Sequence, residues 1–220
     1  MDCTFRDGGY YDNWDFPQEV VKAYVSAVNQ SGIGNVEIGF RNFPDTEYRG
    51  AFYYSSDEFI KVLGFNSNVN IFVMIDALNF KDCESLKDAV NKLFPKFSCI
   101  VSGVRIATRI ENLSLSIQLS NILRSLGYRV FFNLMQVAAI SRNALFKAIS
   151  ELASSEIEVL YFADSLGEMV EHDVKNLFEL AKTKWGLSIL ILTFVLLPIG
   201  QSLRVARSFS PKRVVPLLAS

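Results

Sequence analysis

The chain has 220 residues, half of which are hydrophobic, so it can bury a substantial core within one large domain. Its 22 basic and 23 acidic residues leave a formal charge of −1, which gives no electrostatic reason to expect a nucleic acid or an anionic membrane as a partner. The cysteines, Cys3, Cys83 and Cys99, are widely spaced and odd in number, which argues against a disulfide framework and against a structural zinc site.

The N-terminus and the apolar segments predict a cytoplasmic protein. Met1 is followed at once by Asp2, without a basic region and an apolar run behind it, so we expect no secretory signal. The longest apolar run, Leu187 to Ile199, has 13 residues and contains a proline. It is shorter than the ~18 to 20 residues that span a bilayer, so we expect no membrane segment.

The opening stretch, residues 2–11, predicts a short strand that runs directly into a glycine turn carrying Arg6 beside Asp7. Charged residues rarely end a buried strand unless they are paired or bind a metal, so this pair indicates a site. The two glycines allow a ligand to approach the backbone closely, and Tyr10 offers a hydroxyl near the same mouth. Asp-Gly-Gly is also an ordinary turn signature, and the pattern alone leaves both interpretations open.

Further segments have the apolar character of buried strands and alternate with amphipathic helices. We predict these strands over residues 35–40, 70–76, 103–107, 128–136, 158–163 and 187–193. The interval 113–126 fits both strand alternation and helical spacing, and Gly127 as a C-terminal stop favours the helix. Strands that alternate with helices imply a parallel sheet with the helices outside.

Polar residues lie near the carboxyl ends of these strands, where a (β/α)₈ barrel has its active site. At the ends are Arg6, Asp7, Asp76, Asp164 and Ser165, with Glu37, Arg105 and Asn133 further inside. The sequence therefore predicts an α/β fold of the (β/α)₈ TIM-barrel type over residues 1–186. A doubly wound open sheet is the alternative, although the chain has no Gly-x-Gly-x-x-Gly phosphate loop to support it.

The C-terminal residues depart from the barrel pattern. Residues 180–220 contain no acidic residue, and the segment from 204 onward shows no continuous helical pattern. We therefore expect about seven strands, with the last βα units missing or degenerate and residues 187–220 forming strand seven and an aberrant tail. A shifted reading frame or a truncated gene product would explain this composition.

Several motifs, spaced at one per predicted strand, resemble those of a known superfamily. They occupy residues 2–11 (DCTFRDGGYY), 36–41 (VEIGFR), 104–107 (VRIA), 132–136 (FNLMQ) and 162–167 (FADSLG). In this order they resemble the metal-dependent pyruvate-aldolase and hydroxymethylglutaryl-CoA-lyase-like superfamily, in the branch of proteins similar to 4-hydroxy-2-oxovalerate aldolase. The resemblance covers Asp2 to Trp185.

The resemblance implies a divalent cation, Mn²⁺ or Mg²⁺, held by Asp7 and by a His-x-His motif on strand seven. It also implies that Arg6 polarises the keto oxygen and stabilises an enolate, while Glu37 holds Arg6 in place. Tyr10 stands where related aldolases have an acid/base residue. A Lewis-acid metal and a guanidinium both stabilise the negative charge that develops on oxygen during carbon–carbon cleavage.

The same resemblance assigns a small-molecule 2-oxo acid as the substrate, and a homo-oligomer is compatible with it. It places the substrate near four polar residues, namely Arg105, Asn133, Asp164 and Ser165.

The chain departs from the superfamily at the metal motif. Its single histidine, His172, falls early in a predicted helix, and the seventh predicted strand carries no metal ligand. One carboxylate does not make a tight divalent site. Three functions therefore stay open: a lyase that cleaves a 4-hydroxy-2-oxo acid to pyruvate and an aldehyde, a Claisen-type synthase, and an inactive remnant or interaction protein.

Overall fold

The computed structural model describes residues 1–94, 100–165, 167–185, 189–194 and 217–218. Its strands are β1 (Asn35–Phe40), β2 (Asn70–Asp76), β3 (Gly103–Thr108), β4 (Arg129–Met135), β5 (Val159–Asp164), β6 (Ile189–Phe194) and β7 (Leu217–Leu218). Its helices are α1 (Thr4–Gly8), α2 (Gln18–Ser31), α3 (Ala51–Tyr54), α4 (Asp57–Leu63), α5 (Leu86–Leu93), α6 (Leu113–Ser125), α7 (Arg142–Ala153) and α8 (Glu171–Trp185). Among the described helices, none combines the length and the apolar character that crossing a bilayer requires.

The boundaries of several helices follow from local side-chain chemistry. The hydroxyls of Ser56, Ser85 and Ser141 each accept a hydrogen bond from a backbone N–H in the first turn of α4, α5 and α7. The ambiguous interval 113–126 is helical, as α6. Gly127 follows it with a φ of 93°, in the left-handed region that ends a helix and that glycine adopts without steric cost.

The sheet is parallel throughout, and each strand pairs with the strand that precedes it in the chain. In a doubly wound sheet the strand order reverses at a switch point, and the seven strands described here show no reversal. The α/β barrel fold that the sequence predicts is thus confirmed, and the doubly wound alternative is wrong.

The prediction of a strand in the opening stretch was wrong beyond its first residues. Asp2 forms a single parallel bridge with Val36, in which Asp2 N donates to Asn35 O at 2.9 Å. The side chain of Asp2 then accepts a hydrogen bond from Thr4 N at 3.1 Å, which turns the chain into α1. Arg6 therefore lies on a helical turn that packs against β1, instead of on a strand end.

The barrel is incomplete within the described residues. The Asp2 bridge borders β1 at one edge of the sheet, and β7 pairs with β6 at the other. Among the described ladders, none joins these two edges. The predicted aberrant tail lies outside the described part of the chain, apart from residues 217–218.

Two apolar cores flank the sheet. The larger one fills the space between the strands and the helices, and its centre includes Ile38, Val104 and Phe132. The smaller one lies inside the barrel and consists of Phe72, Phe131, Val159 and Tyr161, with Met1 packed against it. Phe72 and Phe131 stack with their ring centroids 4.8 Å apart, so the floor of the barrel is a packed aromatic layer.

We predict that Gly103→Ala lowers the free energy of unfolding by about 1 to 3 kcal/mol. A methyl group at this position would overlap the ring of Phe72 and the backbone carbonyl of Arg129, so these packed groups would have to shift. Gly34→Ala is the matched control, because a methyl group there meets no atom within 4 Å. Urea denaturation measures both variants, and equal stabilities would contradict the packed floor.

Candidate active site

The buried carboxylate of Glu37 is the centre of the site. Its Oε1 accepts hydrogen bonds from Arg6 Nε at 2.7 Å and from Arg105 Nη2 at 2.5 Å. Glu37 is fully buried, and Arg105 is 1% exposed. Glu37 comes from the middle of β1 and Arg105 from β3, so two alternate strands point these side chains into the barrel, as in a side-chain layer of this fold.

Opposite charges hold this network ionised despite its burial. Burial favours the neutral carboxyl of Glu37, but the Arg105 and Arg6 guanidinium groups outweigh it and lower the pKa of that carboxyl. Burial likewise opposes the charge of Arg105, and Glu37 reverses that effect and raises the pKa of the guanidinium. Arg6 and Arg105 therefore remain cationic, and the network carries a fixed positive charge into the barrel.

The Arg6 guanidinium also contacts the carboxylate of Asp7. The Asp7 side chain is 30% exposed, so this carboxylate faces the open end of the site. Burial is the largest influence on Asp7 and raises the pKa of its carboxyl, although Arg6 acts in the opposite direction. Arg6 is thus tied to the buried Glu37 on one side and to the accessible Asp7 on the other.

Tyr10 lies at the rim, and the residue is 63% exposed. Its ring meets Trp14 edge-on at a centroid distance of 4.8 Å and Phe40 at 6.2 Å. Desolvation is the largest cause that raises the pKa of the Tyr10 hydroxyl, while Arg6 nearby opposes it. The hydroxyl is therefore protonated at neutral pH and can donate a proton or a hydrogen bond.

The four residues that the resemblance assigns to the substrate have different surroundings. Arg105 belongs to the Glu37 network. Asn133, on β4, is buried, and its Oδ1 has no hydrogen-bond partner among the described residues. Both oxygens of Asp164 accept backbone N–H groups, from Glu168 at 3.2 Å and Met169 at 2.9 Å, so Asp164 shapes the loop before α8. Their role in substrate binding stays a prediction.

Ser165 follows Asp164 at the end of β5, and its Oγ accepts a hydrogen bond from Gln136 N at 3.4 Å. Gln136 has a φ of 57°, a left-handed conformation that is uncommon for a residue other than glycine. This contact joins the loops that follow β4 and β5. Ser165 therefore stabilises the rim of the barrel whether or not it also contacts a ligand.

Curated relatives of known name align with most of the chain. The chain is 26% identical over 182 residues to 4-hydroxy-2-oxovalerate aldolase 2 of Mycolicibacterium smegmatis, an alignment that covers 80% of the chain and 49% of the relative. It is 22% identical over 188 residues to 4-hydroxy-2-oxovalerate aldolase 6 of Rhodococcus jostii, covering 84% and 51%. The chain thus spans about half the length of these curated relatives. No protein-family model matches it.

Solved structures share the fold. The N-terminal domain of a candidate aldolase from Bacteroides vulgatus superposes with a TM-score of 0.73 at 31% identity, covering 88% of the chain and 62% of that domain. The HMG-CoA lyase of Bacillus subtilis superposes with a TM-score of 0.67 at 13% identity, covering 87% and 66%, which is a likeness of fold.

These likenesses confirm the resemblance to the pyruvate-aldolase and hydroxymethylglutaryl-CoA-lyase-like superfamily that the motifs predict. In this chain, the opening motif and the Glu37 strand together form the guanidinium–carboxylate network described above.

The described residues of the chain do not fit the divalent cation that the resemblance implies. Among the described residues, no three His, Cys, Asp or Glu side chains lie close enough together to hold a metal ion. Asp7 is paired with Arg6, and Glu37 is shared by two guanidinium groups. Strand β6 (Ile189–Phe194) corresponds to the predicted strand seven, on which the resemblance implies the His-x-His motif, and its sequence contains no histidine. The one histidine of the chain, His172, is exposed on α8.

Sequence reasoning missed two side chains that line the network. Arg105 lies over the ring of Tyr161, 4.7 Å from its centroid, and its Nη2 is 3.7 Å from Cys3 Sγ. Burial is the largest cause that raises the pKa of the Cys3 thiol to about 11, which keeps it protonated and unreactive. The period of two along β5 places Tyr161 on the same face as Val159 and could have indicated that it points inward.

We predict that Glu37→Gln lowers the free energy of unfolding by about 3 to 5 kcal/mol, because it leaves the buried Arg105 guanidinium without a counter-charge and Arg6 with Asp7 alone. Glu158→Gln is the matched control, since Glu158 pairs with Arg129 at the surface, and exposed pairs contribute about 1 kcal/mol or less. Urea denaturation at pH 7 compares the variants. Similar losses of unfolding free energy in both variants would show that the buried network stabilises the fold no more than a surface ion pair does.

The pH dependence of this difference has a defined sign. The folded-state pKa of Glu37 lies below the ordinary value of 4.5, so its contribution to stability is complete above that value and is lost as the pH falls through the folded-state pKa. We therefore expect the wild type to be more stable than Glu37→Gln by a constant amount near neutral pH and by a shrinking amount in acid. Urea titrations from pH 7 to pH 3 measure this, and a constant difference would refute it.

Proposed function

We propose that this chain is a carbon–carbon lyase that binds the 2-oxo acid portion of a 4-hydroxy-2-oxo acid at Arg6 and releases pyruvate and an aldehyde. The observation that carries the proposal is the Arg6 guanidinium, which the buried Glu37 holds at the mouth of the barrel. A fixed cation at this place stabilises charge on the substrate oxygen without reorganisation during the reaction. The names of the two curated relatives support the same reaction class.

The bond changes in this reaction match the groups at the mouth. When the C3–C4 bond breaks, its electron pair moves towards the 2-oxo oxygen and forms an enolate, which Arg6 stabilises. The C4 hydroxyl loses its proton as the aldehyde forms, and Asp7 is the accessible carboxylate that can accept it. The enolate carbon then takes a proton, for which the protonated hydroxyl of Tyr10 at the rim is the candidate.

The supporting network has one role in this scheme. Arg105 shares Glu37 with Arg6, so the carboxylate cannot turn away from the mouth without losing both hydrogen bonds. Asn133 and the rim residues Asp164 and Ser165 complete the proposed substrate environment.

A second candidate function is binding of a 2-oxo acid without cleavage. It is favoured by the composition of β6, which lacks the histidines that the superfamily resemblance places there. In this case Arg6, held by the Glu37 network, would bind an anionic ligand, and no carbon–carbon bond would break.

We predict that Arg6→Met weakens pyruvate binding by about 10-fold to 100-fold, since a hydrogen bond to a charged group contributes about 1.5 to 3 kcal/mol. Isothermal titration calorimetry of the full chain measures the affinity. Arg124→Met is the control, because Arg124 pairs with Glu156 on the surface. Unchanged affinity in Arg6→Met would contradict the assignment of the binding site.

Turnover separates the two candidate functions. Pyruvate release from 4-hydroxy-2-oxopentanoate is followed by coupling to lactate dehydrogenase, with and without added Mn²⁺ or a chelator. Because the described residues do not fit a divalent cation, we expect the rate to be the same in both conditions. Pyruvate binding without any release would support the second candidate.

A further inference from the structure

The mouth of the barrel has an apolar side next to Arg6 and the Glu37 network. Tyr10, Trp14 and Phe40 form an aromatic cluster in which Trp14 and Phe40 meet at a centroid distance of 5.6 Å. Trp14 and Phe40 are buried, whereas Tyr10 is largely exposed. The two inner rings thus support a third ring whose surface is open to a ligand. We call these three residues the aromatic wall.

The backbone and the glycines around Trp14 hold the aromatic wall in place. Asn13 and Trp14 have φ angles of 56° and 59°, a left-handed conformation that costs roughly 1 kcal/mol or more for residues other than glycine. Two glycines make room for Trp14, because a side chain at Gly9 would overlap its ring and one at Gly50 would overlap its carbonyl. Strain of this kind persists where the surrounding structure fixes it, and it is common at ligand sites.

The wall is joined directly to the proposed catalytic group. Trp14 Nε1 donates a hydrogen bond to the backbone carbonyl of Arg6 at 3.1 Å. The charges that act on the Tyr10 hydroxyl belong to Arg6, Asp7 and Asp76, which places the outer end of Tyr10 over the polar part of the mouth. A ligand whose 2-oxo acid group lies on Arg6 would therefore extend past the ring of Tyr10.

We propose that the aromatic wall binds an apolar side chain of the substrate, so that the preferred substrates are 2-oxo acids with an aliphatic or aromatic extension. This proposal rests on the proposed function and adds the substrate class. Trp14 and Phe40 are buried behind Tyr10, so the part of the wall that a ligand can contact is the exposed ring of Tyr10. Burial of each CH₂ group against such a surface increases affinity several-fold.

The test compares three ligands with the same 2-oxo acid group by isothermal titration calorimetry on the full chain. They are pyruvate, 2-oxohexanoate, which has an apolar extension, and 2-oxoglutarate, which has a charged extension of similar length. We expect 2-oxohexanoate to bind about tenfold more tightly than pyruvate, and 2-oxoglutarate to show no such gain. Equal affinities for pyruvate and 2-oxohexanoate, or a preference for 2-oxoglutarate, would overturn the proposal.

Three variants locate the effect. Tyr10→Ala should reduce the preference for 2-oxohexanoate over pyruvate to about twofold, whereas Tyr10→Phe keeps the ring and should retain it. Tyr11→Ala is the matched control, since Tyr11 is 94% exposed and adjacent in sequence, and the preference should not change. An undiminished preference in Tyr10→Ala would overturn the proposal. Circular dichroism and thermal melting check that each variant is folded.

The outcomes separate this proposal from the proposed function. If Arg6→Met weakens pyruvate binding but 2-oxohexanoate binds no more tightly than pyruvate, the proposed role of the aromatic wall is wrong and the assignment of Arg6 stands. If none of the three ligands binds, both fail. A preference that survives in Tyr10→Phe while pyruvate release is lost would also separate the ring, which binds, from the hydroxyl, which transfers a proton.

Discussion

The carboxylate of Glu37, buried between two guanidinium groups, is the constraint on which the rest of the site depends. One oxygen of Glu37 accepts hydrogen bonds from both Arg6 and Arg105. Removal of this charge would leave the buried Arg105 unpaired and Arg6 with Asp7 alone, so the network is stable only as a unit. The same unit fixes Arg6 at the mouth, because α1 packs against the strand that carries Glu37. Stability and the proposed chemistry therefore have one physical origin.

The interior of the barrel is arranged from apolar to polar along its axis. The floor is the stacked pair of Phe72 and Phe131, and the Glu37 network lies beside Tyr161, which belongs to the same inner cluster. This arrangement keeps the charges away from water at the closed end and leaves Asp7 and Tyr10 at the open end. The proposed cation, acid and aromatic wall thus lie together at this open end.

The superfamily assignment and the chemistry of the site rest on different observations. The assignment is supported by the sequence likeness to named aldolases, and the fold is shared with an HMG-CoA lyase. The ligands for a divalent cation do not follow from membership, since the described side chains are already paired with arginines and β6 has no histidine. A guanidinium network can stabilise an oxyanion by itself, though with less charge than it would have together with a metal ion.

The sequence alone determined the α/β class and the bounds of β1 and β2, and it indicated the polar residues of the candidate site, because hydrophobic periodicity and charges within apolar strands are local signals. It also carried the superfamily motifs and the lack of a His-x-His pair. Only the tertiary structure decided that Arg6 lies on a helical turn, that one oxygen of Glu37 serves two arginines, and that Trp14 supports Tyr10 beside Arg6. These facts depend on the parallel register and on contacts between residues far apart in the chain, such as the 68 positions that separate Glu37 from Arg105. The sequence pattern does not contain the spatial distance between such residues, because that distance is set only when the chain folds.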